Sequence, residues 1–221
     1  MPVGSGSFAG SPYLGVFCRA GETLALLPAG VPGEFADLVS RSLGVPTVRT
    51  TVGGIEVVGS LVAFNSRGAV LPASATDEEV EALAPFLPVR RMNSRINALG
   101  NTILTNDVGA VVHPEYTEDQ RKEISAVLGV PVVPSTVASL GTVAMAAVVT
   151  NRGVVVHPRV TPAEAAVLER TLRVPVHKST ANFGIPLVGA CVAANSRGML
   201  VGELTTPVEL VHLQDGLKIF D

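Results

Sequence analysis

The amino-acid sequence predicts an α+β fold in which five ββαβ units form a closed ring around a pseudo-five-fold axis. The spacing of the prolines is the first observation behind this prediction. One series closes short apolar runs at intervals of 44, 42 and 44 residues, with Gly202 a further 44 residues on: Pro28, Pro72, Pro114 and Pro158. A second series recurs at intervals of 42, 43 and 44 residues: Pro46, Pro88, Pro131 and Pro175.

The number of units is the second observation. Five units fill nearly all of the 221 residues, and neither end of the chain resembles the polar capping repeat that an open solenoid needs. Because one such unit cannot bury its apolar face alone, neighbouring units must pack against each other. We therefore expect a closed ring and a single domain that covers residues 1–221.

The composition fits a large core and excludes several classes of protein. Hydrophobic residues make up 47% of the chain and charged residues 16%. The longest apolar stretch, residues 143–149, is far shorter than the roughly 20 residues that span a bilayer, so we expect no membrane segment. A net charge of −3 disfavours binding to DNA, or to RNA by phosphate neutralisation alone. The first ten residues lack a secretory pattern, and with only two cysteines the chain suits the cytoplasm.

Each unit begins with a β-hairpin, which is clearest between residues 59 and 72. Gly59 is predicted to open a first strand over residues 60–64, and a second strand over 69–71 stops at Pro72. The turn between them, at residues 65–68, recurs in later units at residues 106–109, 151–153 and 195–198. Because asparagine and glycine tolerate positive φ, we expect left-handed residues in these turns.

A helix and a third strand complete each unit. Four capping boxes predict where the helices begin: Thr76 with Glu79, Thr117 with Gln120, Thr161 with Glu164, and Thr206 with Glu209. Pro85 should cut the second helix short. The third strands are predicted at residues 47–49, 89–92, 132–133 and 176–178, and the helices should pack outside the strands.

The strands separate two ends of the ring. Asparagine–glycine turns should lie at one end. The glycines predicted to open the first strands should lie at the other: Gly15, Gly59, Gly100, Gly141 and Gly189. The glycine-rich stretch at residues 4–10 lacks the spacing and the lysine of a phosphate-binding loop, and we expect a mobile terminus there.

This arrangement is that of the pentein fold, or five-bladed α-β propeller. Two groups of proteins with that fold are candidates: the translation initiation factor 6 family and the guanidine-modifying enzymes. The chain resembles the former along its whole length. The best local match runs from Arg90-Arg91 through Arg95-x-Asn97-Ala98-Leu99-Gly100-Asn101 to Asn106-Asp107 and Val112-His113-Pro114. The chain stops soon after the fifth helix, as in the archaeal form of the family.

The resemblance implies a factor that binds the large ribosomal subunit on its intersubunit face and sterically blocks joining of the small subunit. It implies contact with a protein of the large subunit beside the sarcin–ricin loop, and it allows a contact with ribosomal RNA. No cofactor or metal is implied, and we expect a monomer. The implied interface residues are Ser60, Arg95, Asn97, Leu99, Gly100 and Asn101, with Thr142 and Ala190 as their counterparts in later units.

Several of these residues also have simpler interpretations. The Asn101 amide could make a local bond to the backbone instead of binding a partner. Arg90, Arg91 and Arg95 could form a solvated face, or contact an acidic protein tail or RNA. Three arginines at the turn end could be exposed hairpin residues or a cationic crown: Arg67, Arg152 and Arg197.

The enzyme alternative depends on Cys191. A guanidine-modifying enzyme needs a nucleophilic cysteine, a histidine base, and carboxylates that hold a guanidinium. Cys191 lies in an apolar strand where nothing nearby in the sequence would lower the pKa of its thiol. A buried structural thiol is the favoured interpretation, and we expect no catalytic activity.

Overall fold

Five three-stranded β-sheets surround a central channel in the computed structural model, which describes residues 3–219. In every sheet the first two strands of a unit are antiparallel, and the third strand runs parallel to the second. The predicted α+β ring of five ββαβ units is confirmed. In chain order the strands are β1 (Val3–Gly6), β2 (Arg19–Ala20), β3 (Ala25–Pro28), β4 (Thr47–Thr50), β5 (Ala63–Asn65), β6 (Gly68–Pro72), β7 (Val89–Met92), β8 (Ile103–Thr105), β9 (Ala110–Val112), β10 (Val132–Pro134), β11 (Ala147–Val149), β12 (Val154–Val156), β13 (Val176–Lys178), β14 (Val192–Asn195) and β15 (Gly198–Gly202).

The ring closes through the N-terminal strand. Strand β1 pairs in parallel with β15, in register from Val3 opposite Met199 to Gly6 opposite Gly202. It supplies the third strand of the fifth sheet. The expectation of a mobile terminus was therefore wrong for this stretch. A Cβ on Gly4 would collide with Ser42 Oγ and lie 2.9 Å from Leu200 Cδ1, so these side chains would have to move to admit a larger residue.

Within residues 3–219, five longer helices pack outside the sheets. The four capping boxes predicted from the sequence are confirmed, each with both reciprocal hydrogen bonds formed. The second of these helices has only 7 residues and ends before Pro85, as predicted. The long helices are α2 (Gly33–Leu43), α4 (Asp77–Leu83), α6 (Glu118–Leu128), α7 (Pro162–Leu172) and α9 (Pro207–Leu217).

Four one-turn helices replace the predicted strand openings. The glycines expected to open the first strands are instead the second residues of these helices, and each strand begins after the helix. This geometry brings the main chains of neighbouring units into contact: a Cβ on Gly59 would collide with the Gly15 carbonyl oxygen, and one on Gly100 with that of Gly59. The helices are α1 (Leu14–Phe17), α3 (Val58–Leu61), α5 (Leu99–Thr102) and α8 (Val188–Cys191).

Gly141 does not belong to this series. The fourth unit has Ala144 at the equivalent place, and its N–H donates to the Asn101 carbonyl at 2.9 Å. A Cβ on Gly141 would instead collide with the ring of His113. The prediction for Gly141 was wrong because the counterpart of the other glycines is an alanine. We call this side of the ring the glycine end: Gly15, Gly59, Gly100, Ala144 and Gly189.

The opposite side, the turn end, is held by asparagine side chains. Asn65 Oδ1 accepts hydrogen bonds from the N–H groups of Arg67 and Gly68 at 2.9 and 3.3 Å. Its Nδ2 donates to the carbonyl oxygens of Asn106 and Leu128, in the next unit. The positive φ expected for these turns was wrong, because Gly68 is not left-handed. Glycine is needed here because a Cβ would collide with a carbonyl oxygen of α6.

The core lies between neighbouring units. A typical cluster joins Leu43 of α2 to Leu27 of β3 and to Leu200 of β15, so each long helix is packed against two sheets. The channel is lined by the first strands of the five hairpins and contains no residue of a long helix among those described. None of the helices in residues 3–219 has the length and apolarity that a bilayer span requires.

Candidate binding surface

Short loops follow the third strands and lie at the glycine end. Because each third strand is antiparallel to the first strand of its hairpin, it ends where the one-turn helices begin. Four of these tip loops are closed by an isolated β-bridge, and their central residues have positive φ. The tip loops are residues 8–11, 52–55, 137–140 and 181–185.

In three of the tip loops, the loop is held by a buried glutamate from the following long helix. Glu79 accepts hydrogen bonds from the N–H groups of Gly53 and Gly54 at 2.7 and 3.0 Å, and from Thr51 Oγ1 at 2.5 Å. Burial by itself would raise the pKa of Glu79, but these bonds and that from Thr76 outweigh it and lower the pKa to about 2. Glu164 and Glu209 make the same kind of clamp. These carboxylates are therefore ionised at neutral pH, and each fixes a loop to the start of a helix.

The second unit departs from this pattern. Between β7 and α5, residues 93–98 have no left-handed residue and no closing bridge, and we call this segment the second-unit loop. The capping residue below it is Gln120 instead of glutamate. Its Oε1 accepts from the Thr117 N–H at 3.0 Å, and its Nε2 donates to the Asn93 carbonyl at 3.3 Å. An amide can make both bonds, whereas a carboxylate could not donate to a carbonyl oxygen.

The second-unit loop presents polar side chains with no partner in the described chain. Arg95 and Asn97 are exposed, and neither side chain makes a hydrogen bond or ion pair within residues 3–219. Asn101 follows in α5, and its Oδ1 is buried without a hydrogen-bond partner among those residues. The simpler interpretation of Asn101, a local bond from side chain to backbone, is not what the described structure shows.

The other predicted interface residues differ in accessibility. Thr142 is exposed. The Leu99 side chain is fully buried and packs with Met92 and Ile103, so it cannot reach a partner. Buried residues form the floor of the glycine end beneath the exposed ones: Ser60, Leu99, Gly100 and Ala190.

Thr142 was predicted to be the fourth-unit counterpart of the interface residues of earlier units, and the hydrogen bonds correct this prediction. The Met145 N–H bonds to the Thr142 carbonyl in the same way as the Asn101 N–H bonds to that of Ala98. Met145 is therefore the residue of the fourth unit that corresponds to Asn101, whereas Thr142 corresponds to Ala98. The sequence alone did not reveal this shift of three residues, because Gly141 lies near the position where the repeat predicts a glycine, whereas the structural equivalent is Ala144.

The basic cluster of the second unit consists of Arg90, Arg91 and Arg95, and ion pairs distinguish its members. Arg90 pairs with Glu123 at 3.1 Å, and Arg91 pairs with Asp77 and also donates to the Ala75 carbonyl. Both lie on β7, and their charges are balanced within the chain. Arg95 is thus the member of the cluster whose charge is available for a partner.

The arginines of the turn end cap helices. Arg67 Nη1 donates to the carbonyl oxygen of Gly129 at 2.7 Å, beyond the C-terminal end of α6. Arg197 makes the equivalent bond to Gly44 at the end of α2, and Arg152 bonds Lys218 at the end of α9. Each hairpin therefore caps a helix of the neighbouring unit. The three arginines are exposed hairpin residues, as predicted, and the capping bond is a role that the sequence analysis did not anticipate.

Arg19 occupies the channel, which sequence analysis did not anticipate. Its guanidinium donates to the carbonyl oxygens of Gly100 and Ile103 at 3.2 and 3.1 Å. Burial lowers its pKa to about 10, so it remains charged at neutral pH. The side chain links the first unit to the third across the axis, and a cavity of about 30 Å³ lies beside it. A charged residue at the start of an apolar strand was the available signal.

The two thiols are unsuited to nucleophilic catalysis. Cys18 and Cys191 are buried, and burial raises the pKa of each thiol to about 12. Because the thiolate is the nucleophile, neither is active at neutral pH in this environment. Within residues 3–219, histidine, cysteine and carboxylate side chains form no group of three or more that could hold a metal ion.

Comparison with known proteins places this surface in context. The model of the eIF-6 family matches residues 4–216. The chain is 42% identical over 213 residues to translation initiation factor 6 of Haloquadratum walsbyi, which covers 96% of this chain and 94% of the relative. It is 47% identical over 207 residues to that of Methanococcoides burtonii, with 94% of both chains covered. It is 37% identical over 217 residues to that of Pyrococcus horikoshii, with 95% and 96% covered.

Proposed function

The chain belongs to the eIF-6 family, and on this premise we propose that it acts as a translation initiation factor. We propose further that it binds the large ribosomal subunit on its intersubunit face and sterically prevents association with the small subunit. Its main partner is a protein of the large subunit, with ribosomal RNA as a second contact. It acts in the cytoplasm as a monomer and a single domain over residues 1–221, without cofactor or catalysis.

The observation that carries this proposal is the Oδ1 of Asn101, buried beside the second-unit loop and unpaired within residues 3–219. Three tip loops are clamped by glutamate, whereas the second-unit loop is free of that clamp and carries Arg95 and Asn97 exposed and unpaired. Asn101 adjoins it with an unsatisfied Oδ1, which costs about 1–3 kcal/mol and gives the free chain no stability. Polar groups left without internal partners at one point of a repeating structure support a role in recognition.

The rest of the glycine end supports a rigid contact surface. Neighbouring units meet main chain to main chain at glycines such as Gly59 and Gly100, and the tip loops are fixed by ionised glutamates. A surface that is ordered before binding loses little conformational entropy when it binds. Steric exclusion of the small subunit then requires only affinity, shape and bulk.

Charge favours protein as the main partner. The chain carries a net charge of −3, and Arg90 and Arg91 are already paired. Arg95, the member of the basic cluster that remains available, can contact a carboxylate or a single phosphate, but by itself it cannot supply the several phosphate contacts that binding to RNA alone needs. RNA is therefore a secondary contact in this proposal.

Cosedimentation with isolated subunits tests the proposed function. The wild-type chain is expected to pellet with large subunits but not with small ones, and an excess of it is expected to suppress subunit joining. Arg95→Ala should weaken binding. Arg170→Ala is the matched control, because Arg170 is exposed on the outer helix α7 and makes no described side-chain bond. The absence of binding to large subunits would overturn the proposal.

A further inference from the structure

An exposed apolar patch lies where the fourth and fifth units meet. Among residues 3–219 eight large apolar side chains are exposed, and four of them surround the start of α9. Hydrogen bonds place them together: Glu209 Oε2 accepts from the Phe183 N–H at 3.1 Å, and Thr205 Oγ1 accepts from the Asn182 N–H. The apolar patch is Phe183, Leu204, Val208 and Val211, which are 82, 56, 66 and 53% exposed.

Phe183 has a backbone conformation that does not suit its side chain. Its φ is +61°, in the left-handed region that bulky residues rarely adopt. In the other bridged tip loops the two central residues are small: Ala9 and Gly10, Gly53 and Gly54, Ala138 and Ser139. Because the Phe183 side chain is 82% exposed, packing within the chain does not compensate for this strain. Strain kept in order to present an exposed group is a feature of functional sites.

Hydrogen bonds hold the main chain from which this aromatic ring projects. Glu209 binds the N–H groups of both Phe183 and Gly184. Asn182 Nδ2 donates to the Pro12 carbonyl at 2.8 Å, and its Oδ1 accepts from Thr205 Oγ1. A preorganised aromatic side chain contributes large contact area at little entropic cost, which is typical of the dominant residues in protein interfaces.

We propose that Phe183 is an anchor residue that inserts into an apolar pocket on a protein of the large ribosomal subunit, with Leu204 and Val208 packing around it. This inference rests on the proposed function and extends it. The patch lies at the glycine end, as the second-unit loop does, so one partner can contact both. The interface then has a polar part near Asn101 and an apolar part at Phe183.

Charge near the patch favours protein over RNA as the occupant. Glu203 is exposed beside Leu204 in the chain, and the Glu209 carboxylate binds the Phe183 loop directly. Phosphate groups would be repelled there, and the aliphatic side chains Leu204 and Val208 offer RNA no stacking surface. An apolar pocket of a protein suits all three side chains.

Titration of isolated large subunits with variant chains tests the inference. Phe183→Ala is expected to weaken binding at least tenfold. Phe86→Ala is the matched control, since Phe86 is 49% exposed and lies beyond the C-terminal end of α4, at the turn end. Phe183→Gly should weaken binding equally while raising the midpoint of thermal unfolding, because glycine adopts positive φ without strain. A merely structural Phe183 would instead lower that midpoint.

The outcomes separate this inference from the proposed function. If the wild-type chain binds large subunits and Phe183→Ala binds equally well, the anchor is overturned and the proposed function stands. If Phe183-dependent binding persists with ribosomal RNA stripped of protein, the protein pocket is overturned. If the wild-type chain does not bind large subunits, both proposals are overturned together.

Discussion

Replacing Glu79 by glutamine tests the link between the capping boxes and the tip loops. The Glu79 carboxylate accepts four hydrogen bonds, from Thr51 Oγ1 and from the N–H groups of Gly53, Gly54 and Thr76. Glutamine has nearly the same shape but only one acceptor oxygen. Its NH₂ group would face donors in place of the second oxygen, so part of the clamp must be lost.

The pKa of Glu79 sets the magnitude of the expected effect. The pKa is lowered from 4.5 to about 2 by the hydrogen bonds, in spite of burial, which acts in the opposite direction. A shift of this size corresponds to about 3 kcal/mol of stability at neutral pH. Because the folded-state pKa lies below the unfolded-state value, this stability is complete above pH 4.5 and is lost as the pH falls from 4.5 towards 2.

Urea unfolding at two pH values measures this effect. At pH 7 we expect Glu79→Gln to lower the free energy of unfolding by about 2–3 kcal/mol, and at pH 2 we expect the difference from wild type to shrink to less than half. Glu78→Gln is the control, since Glu78 is exposed in the same helical turn and makes no described side-chain bond. An equal loss at both pH values, or a loss no larger than that of the control, would refute the reasoning.

Four further predictions follow from the contacts described above. Asn195→Ala removes bonds of 3.0 and 2.9 Å to carbonyl groups of the first unit and should lower the unfolding free energy by about 2–4 kcal/mol in urea titrations; a loss below about 1 kcal/mol would count against its role in ring closure. Asn101→Ala should weaken binding to large subunits without lowering the unfolding free energy by more than about 1 kcal/mol, since the Oδ1 that it removes has no partner within residues 3–219; unchanged binding would remove it from the interface. Cys18 and Cys191 should react with a thiol reagent at pH 8 only after unfolding, because burial raises both pKa values to about 12; rapid labelling of the folded chain would contradict this. Fluorescence and circular dichroism should report one shared unfolding transition if residues 1–221 form a single domain, and separate transitions would disprove that.

The features that could be predicted from the sequence are those with a local, repeated signal. The capping boxes at Thr76, Thr117 and Thr161 have a fixed residue pattern, and all three begin helices. The hairpin turns were located correctly because asparagine and glycine recur with the period. Their conformation was not predicted correctly. Glycine is needed at position 68 because a Cβ would collide with a helix of the next unit, and a local pattern does not reveal such a contact.

The features that could not be predicted depend on contacts between distant parts of the chain. A one-turn helix such as Val58–Leu61 is too short for a periodic signal, and the sequence pattern instead predicts a strand over residues 60–64. Strand β1 is rich in glycine and serine, and its partner β15 lies almost 200 residues away. The clamp made by Glu79 joins a helix to a loop 25 residues earlier, beyond the reach of the capping pattern.

The candidate site shows the same division. The family pattern indicated Arg95, Asn97 and Asn101, and their roles in binding remain predictions. It also included Leu99, whose side chain is buried because the one-turn helix directs it into the core. The pattern could not indicate Phe183, since its importance is inferred from a positive φ and from exposure, and neither property is visible in the residue type.

Competition between this chain and the small subunit is the most direct measurement of the central claim. Large subunits are incubated with increasing amounts of the wild-type chain, up to saturation, and are then mixed with small subunits. The fraction of joined particles is read from sucrose gradients. We expect that fraction to fall as the chain is added, and to recover when Arg95→Ala replaces the wild type at the same concentration. Joining that proceeds unchanged on large subunits shown to carry the bound chain would contradict steric exclusion.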